Sequence, residues 1–196
     1  MVLILGASCI GCLQRPAFQP ARETSVRAVR LDVPFISQSQ KSDCGPAALA
    51  SVLAFHGRGP GVDEVTRCVF TPALERTLLP DMENYARSLG FSTRSGRGDP
   101  GLIRERINAG SPVILLLEMG GRMFSQGHYV VVYGHDADGF LMHAGTRADA
   151  FLPERELLER WEPMNRLYLV VEGAVRPACF LVFFVFLSLA GCATPR

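Results

Sequence analysis

Between its two apolar ends the sequence has only two cysteines, Cys44 and Cys68; the other four of its six, at positions 9, 12, 179 and 192, fall inside those ends. Two isolated thiols cannot build the cross-linked scaffold of a small secreted domain, so the core must come from apolar packing. Net charge is nearly absent too. The 20 Lys and Arg against 19 Asp and Glu leave +1, a field too weak to gather nucleic acid or anionic lipid. His135 and His143 are spaced too widely for the short ligand pair of a structural zinc site, so no metal and no other cofactor is expected. No G-x-x-x-x-G-K-[ST] phosphate loop occurs, so this chain carries no ATP-binding domain. At 196 residues the chain has room for one domain with a substantial core, plus tails.

What is present begins with the ends. Residues 1–15 open on "MVLILGASCIGC", which resembles the apolar stretch of an export signal without its basic start. The "CIGC" pair has no strand-then-helix setting of a redox dithiol; a lipoprotein-type cleavage site suits it better. Residues 175–196 hold "CFLVFFVFLSLAGCATPR", a bacterial lipoprotein signal in all but its position. Its strongly apolar part, Phe180 to Ala190, is eleven residues, short of the roughly 20 that span a bilayer. Three readings stay open: a membrane-associating tail, a buried strand or helix, and a neighbouring lipoprotein's signal read in frame. The third is preferred, since lipidation requires the cysteine to become an N-terminus. The expected location is exported, periplasmic or membrane-associated in a bacterium, with function independent of the tail.

Residues 16–30, rich in Arg, Pro and Ala without periodicity, read as a linker, and residues 31–174 as the domain. "RLDVPFIS" is a short extended segment that Pro34 keeps out of a sheet centre. From Gly45 a 3.6-residue period runs through Ala48, Leu49, Val52 and Leu53 to Gly57, with Pro46 in the first turn. "TLLPDMENYARSLG" predicts a second helix, and "DPGLIRERINAG" a third with Asp99 as cap and Gly110 as stop. "PVILLLEM", "HYVVVYG", "GFLMHA" and "RLYLVVEG" read as strands, "DADG" as a tight turn, and "PERELLERW" as a helix with Pro153 at its first position. Helices first and strands later argue for an α+β domain with an antiparallel sheet.

That pattern sets Cys44 at a helix N-terminus. As a lone cysteine it could be a packed small hydrophobe or a nucleophile; the partial positive charge of the helix start favours the thiolate form. A nucleophilic thiol also needs a base. Of His56, His128, His135 and His143, only His128 begins a strand behind a flexible "SQG", where an imidazole can reach a cleft edge. Acyl transfer further needs donors for the developing oxyanion. The Cys44 backbone N–H supplies one, and an upstream amide, Gln38 or Gln40, the second.

These residues carry a resemblance. "Q-S-Q-K-S-D-C-G-P-A-A-L-A" followed by "G-H-Y-V-V-V-Y-G", over about Val33 to Val171, is similar to the bacteriocin-processing cysteine peptidases, a papain-like group that removes double-glycine leader peptides. The resemblance implies a papain-like α+β fold with Cys44 as nucleophile, His128 as general base and acid, and Gln38 as the oxyanion-hole amide. It also implies a peptide or protein substrate cut after small residues such as Gly-Gly. Many members head an ATP-driven exporter; without a phosphate loop or a set of spanning helices this chain resembles the stand-alone variety. One position departs: where the family closes the strand after "HYVVVYG" with an acid and proline, this sequence has Ala144 and Gly145. His143 is adjacent but points to the other face of a strand, and Asp136 and Asp138 belong to the solvated turn. The departure supports a second expectation, a weak or inactive peptidase-like domain that binds a partner peptide in the same cleft.

Other residues read as structural. Cys68 is expected to be buried, His56 to close a helix end, Trp161 to pack in the core, and "RSGRGDP" to be an exposed glycine-rich turn. Asp43 is expected to assist the helix start or to set the charge of the cleft, outside the catalytic set.

Overall fold

The computed structural model describes residues 19–20, 28–40, 42–119 and 126–174. Both apolar ends, including "CIGC" and "LAGC", lie outside them. Among the described residues no helix is long and apolar enough to cross a membrane.

Two short strands come first, β1 (Gln19–Pro20) and β2 (Val29–Arg30), then the helices α1 (Cys44–Phe55) and α2 (Val62–Val69). A small hairpin of β3 (Phe70–Thr71) and β4 (Arg76–Thr77) precedes α3 (Leu79–Ser88). Next are β5 (Phe91–Arg97), α4 (Pro100–Asn108), β6 (Val113–Glu118), β7 (Gly127–His135), β8 (Gly139–Ala144) and β9 (Arg147–Pro153). The chain closes with α5 (Glu154–Trp161) and β10 (Leu167–Ala174). The main sheet runs β1-β9-β8-β7-β6-β10-β5 and is antiparallel throughout, with β2 beside the far end of β7.

Helices cover both faces of that sheet. On one face Leu49 and Leu53 of α1, Val65 of α2 and Met82 of α3 pack on Ile114, Val131, Leu141 and Leu169. On the other, Ile103 and Ile107 of α4 and Leu157 and Trp161 of α5 pack on Leu115, Val130, Val132, Phe140 and Val170. Strands covered on both sides have no polar face, which is why β6 and β7 read as unbroken apolar runs. The second layer comes from α4 and α5. Trp161 is fully buried as expected, its indole N–H donating to Leu167 O at 2.8 Å.

Local signals explain the helix ends. Asp99 accepts the Leu102 N–H at 2.9 Å and caps α4, and Gly110 (φ +83°) and Gly90 (φ +87°) take the left-handed turn after α4 and α3. Pro153 caps α5, one position earlier than expected. The "DADG" turn is tied by Asp136 Oδ1, which accepts the N–H groups of Asp138 and Gly139 at 2.8 and 3.0 Å. His56 closes α1 and donates to Val171 O at 2.8 Å.

Four expectations need correction. The segment read as a linker contributes β1 and β2, which the main-chain pairing of β9 and β7 draws into the sheet. "RSGR" is no turn: Arg94 to Arg97 pair with Leu167 to Val170 inside β5. Cys68 is exposed, because the inward stripe of α2 is Val65 and Val69 and position 68 falls on the flank of that stripe. The helix expected from Gly45 is buried all round from Gly45 to Leu53, so its 3.6-residue stripe undercounts what it packs.

Candidate active site

Cys44 is the first residue of α1, half-buried, with its peptide N–H at the open end of the helix. Gly45 lets that end sit deep. A Cβ there would stand 3.0 Å from Thr77 Cβ and 3.1 Å from the Tyr129 ring, so α1 wedges between the β3–β4 hairpin and the start of β7 only with glycine in place. The thiol lies against β7. The backbone N–H groups of Tyr129 and Gly45 both reach the sulfur, and the Tyr129 N–H belongs to the peptide that follows His128.

His128 is the second residue of β7, opposite Leu117 of β6 and half-buried. Gln38 lies in the extended chain before α1, its backbone N–H donating to Gly145 O at 3.2 Å. The two side chains meet over Gly145, the first residue after β8. An ideal Cβ at Gly145 would be 2.9 Å from Gln38 Oε1 and 3.2 Å from both Cε1 and Nε2 of His128. Gly145 also has φ +62°, a conformation that favours glycine. Gln38 Oε1 is buried with no hydrogen-bond partner among the described residues; a half-turn of the amide would present its NH₂ at the same point. Thus the His128 and Gln38 side chains are brought together at the β8–β9 turn, and the Cys44 thiol lies against the next residue of β7, Tyr129. Gln40 is exposed, and its backbone N–H bonds to Asp43.

A cavity of about 390 Å³ opens beside Cys44, walled by Ser42, Thr77, Leu78, Leu116, Tyr129 and Met164. On the other side of the thiol, Phe35, His143 and Gly145 close a much smaller cleft. The site is therefore open on one side and packed on the other.

The fold is matched by known proteins. A family model described as "Peptidase C39 family" matches residues 32–172. The chain belongs to the peptidase C39 family. This is the double-glycine leader group that the motifs resembled. Solved structures of the fold are similar over most of their length. The peptidase domain of Streptococcus ComA, described as a bi-functional ABC transporter involved in quorum sensing, superposes with a TM-score of 0.59 at 22% identity, covering 74% of this chain and 98% of that one. A C39-like peptidase structure from Bacillus anthracis gives 0.61 at 16%, covering 74% and 96%. A double-glycine motif protease from an AMS/PCAT transporter, solved with its leader peptide, gives 0.56 at 19%, covering 80% and 97%. No curated protein sequence matches.

Within this C39 domain the protonation balance differs from the sequence expectation. Burial pushes the Cys44 thiol up and outweighs the pull of the Tyr129 and Gly45 N–H groups, with the Asp43 charge adding to the rise. Burial also lowers His128, and no neighbouring charge opposes it. Both shifts favour the neutral form, of the thiol and of the imidazole, so desolvation beats the helix-terminus field here.

Ala144 stands opposite Val130, two residues along β7 from His128 and on the same face. Its side chain packs with Val130, Met142 and Ala150. His143 does face the other way: its Nε2 donates to Val33 O at 3.0 Å, and its ring lies against Phe35 and Tyr133. No described side chain hydrogen-bonds to His128, and among the described residues no His, Cys, Asp or Glu cluster could hold a metal. Three features escaped the sequence. They are the close fit at Gly45, the Gln38–Gly145–His128 meeting point, and the carboxylate of Asp43, which turns away from α1. Asp43 alone left a signal, an acid at a helix start.

Proposed function

We propose that this protein is a cysteine peptidase that cuts a peptide bond after small residues, Gly-Gly in particular, in a leader or secreted peptide. The observation that carries the proposal is the Cys44 sulfur resting on the peptide that follows His128, at the mouth of a cavity. His128, kept neutral by burial, is a base free to take a proton. It removes the Cys44 proton as the sulfur attacks the scissile carbonyl. The oxyanion is held by the Cys44 N–H and the Gln38 amide. The protonated His128 then gives its proton to the leaving amine, leaving a thioester on Cys44. Water, deprotonated by His128, hydrolyses the thioester and restores the thiol.

The substrate class draws support from family membership and from the relative solved with its leader peptide. The two apolar ends support an exported or membrane-associated location. A direct test is incubation of the full chain with peptides carrying Gly-Gly, followed by mass spectrometry for the cut site and for an acyl mass on Cys44. Cleavage and acylation that vanish in Cys44→Ala are expected; no acylation of wild type by any peptide of the panel would sink the proposal.

Ala144 favours a second reading, a peptide-binding domain of weak or no activity. In that case Cys44→Ala binds the same peptides with unchanged affinity, and wild type does not cut them.

A further inference from the structure

Asp43 is a charged residue only 5% exposed, immediately before Cys44. It occupies the N-cap position of α1, where an aspartate ordinarily accepts the N–H of the second or third helical residue. Here it does not; its side chain makes no cap bond. The carboxylate turns back along the chain instead. It accepts the Ser39 N–H at 3.0 Å, the Ser39 hydroxyl at 2.8 Å, and the Gln40 N–H at 3.1 and 3.0 Å through its two oxygens. Meanwhile its backbone carbonyl accepts the Ala47 N–H at 2.9 Å, which locks the same residue to the first turn of α1.

The consequence falls on Gln38. Its N–H is held by Gly145 O, and the residue after it is held twice by Asp43. The Gln38 backbone is thus fixed from both directions relative to α1 and the β8–β9 turn, leaving only side-chain torsions. The carboxylate's turn away from α1 also leaves the helix-start N–H groups free of a side-chain cap, beside the thiol. An acid next to a nucleophilic thiol carries a cost, because its charge opposes the thiolate. A residue that only began the helix would serve as well as serine, without that cost.

We infer that Asp43 is a positioning residue: its carboxylate clamps the Ser39–Gln40 turn so that the Gln38 amide stands over Gly145 beside His128. The inference deepens the peptidase proposal, since Gln38 matters to catalysis only if the chain is a peptidase. It predicts three behaviours. Loss of the carboxylate lets Gln38 wander, slows acylation through kcat, and makes the thiol more acidic.

The experiment uses the full chain in five forms: wild type, Asp43→Asn, Ser39→Ala, Gln38→Ala and the Asp43→Asn/Gln38→Ala double variant. The Gln38 side-chain NH₂ resonance, identified by its loss in Gln38→Ala, reports order at the amide whether or not the protein is active. Asp43→Asn is expected to shift or broaden that resonance. On a Gly-Gly peptide it lowers kcat about 10- to 100-fold, at or below the loss of a whole oxyanion-hole donor, with KM changed less than about twofold. In the Gln38→Ala background the same change costs less than about threefold, because the two residues act through one group. The pH midpoint for alkylation of Cys44 moves down in Asp43→Asn even as kcat falls, a pairing that general destabilisation would not give. Ser39→Ala moves the resonance and kcat the same way by less, and decides the matter if Asp43→Asn does not fold. A Gln38 resonance unmoved in a folded Asp43→Asn or Ser39→Ala variant, or losses that multiply in the double variant, overturns the inference. If wild type cuts no peptide but the resonance still moves, the positional role stands and the peptidase proposal is what fails.

Discussion

Two histidines on neighbouring strands, His128 and His143, live under different constraints. His143 is only 7% exposed and engaged on every side: Nε2 donates to Val33 O, the Asp149 N–H points at Nδ1 from 3.5 Å, and Phe35 and Tyr133 flank the ring. Behind it, Tyr133 donates to Asp149, which also holds Arg30 at 2.8 Å. His128 has no such shell; burial is what acts on it, and its ring edge faces Gln38 across a glycine. Both rings are poised toward the neutral form, yet for different ends. His143 has spent its nitrogens on the fold, and His128, on the proposed function, keeps its own for a reaction.

The largest effect should come from removing the site's own groups. Cys44→Ala or His128→Ala is expected to lower kcat/KM on a Gly-Gly peptide by at least about 10³-fold. Thermal unfolding should stay close to wild type. His143→Ala should do the reverse: a loss of about 2–4 kcal/mol in denaturant unfolding, from an emptied ring site and an unpaired Val33 carbonyl, with kcat kept in the folded fraction. If His143→Ala abolishes kcat without destabilising, the division between the two histidines collapses.

A smaller effect sharpens the contrast from the other side. Ala144→Asp places a carboxylate on the His128 face of β8, giving the free ring a partner of the kind His143 finds in its own shell. The expected result is a higher His128 pKa, read by NMR titration, and a kcat about 3- to 10-fold greater, within the range for better-organised acid–base catalysis. No rise in pKa would show that position 144 does not reach the ring. The smallest expected effect is in pH dependence. With His128 lowered, its neutral form persists below the ordinary value of about 6.5, so the acid limb of kcat/KM lies below that pH. The sign for stability follows. A histidine whose folded pKa is depressed binds its proton more readily when unfolded, so stability falls as pH drops below about 6.5. His128→Gln should flatten part of that fall in urea unfolding between pH 7 and 5. The raised thiol acts oppositely, its contribution falling as pH rises past the unfolded thiol value of about 8.5.

Much of this was legible in the chain itself. Asp99, Gly90 and Gly110 marked helix ends because caps are local, and the apolar runs of β6 and β7 marked the sheet centre. β5 and the β3–β4 hairpin were not legible. "STRSGR" has no apolar alternation, since an edge strand gets its pairing from β10, and the hairpin strands have two residues each. Cys68 misled because its burial depends on the phase of α2, which three valines set and a single cysteine does not. At the site, Cys44 and His128 stood out as candidates from their own residues, and Gln38 was chosen over Gln40 only by the resemblance. Gly145 and the Asp43 clamp did not, because both depend on loops that meet only when β8 and α1 are assembled.

The main sheet also has a bearing on how the molecule behaves in company. One border of the sheet is occupied by the chain's own Gln19–Pro20, laid along β9. The opposite border is β5, where Arg94 is 63% exposed and Arg97 follows near the end of the strand. An open border of unpaired peptide groups is a template on which a second molecule can stack, and cationic side chains and self-pairing are the two common defences. This fold uses one at each side. The two outermost strands thus carry the guards against edge-to-edge pairing, and loss of either, by trimming the chain before residue 28 or by replacing Arg94 and Arg97 with valine, is expected to expose a growth surface for aggregates.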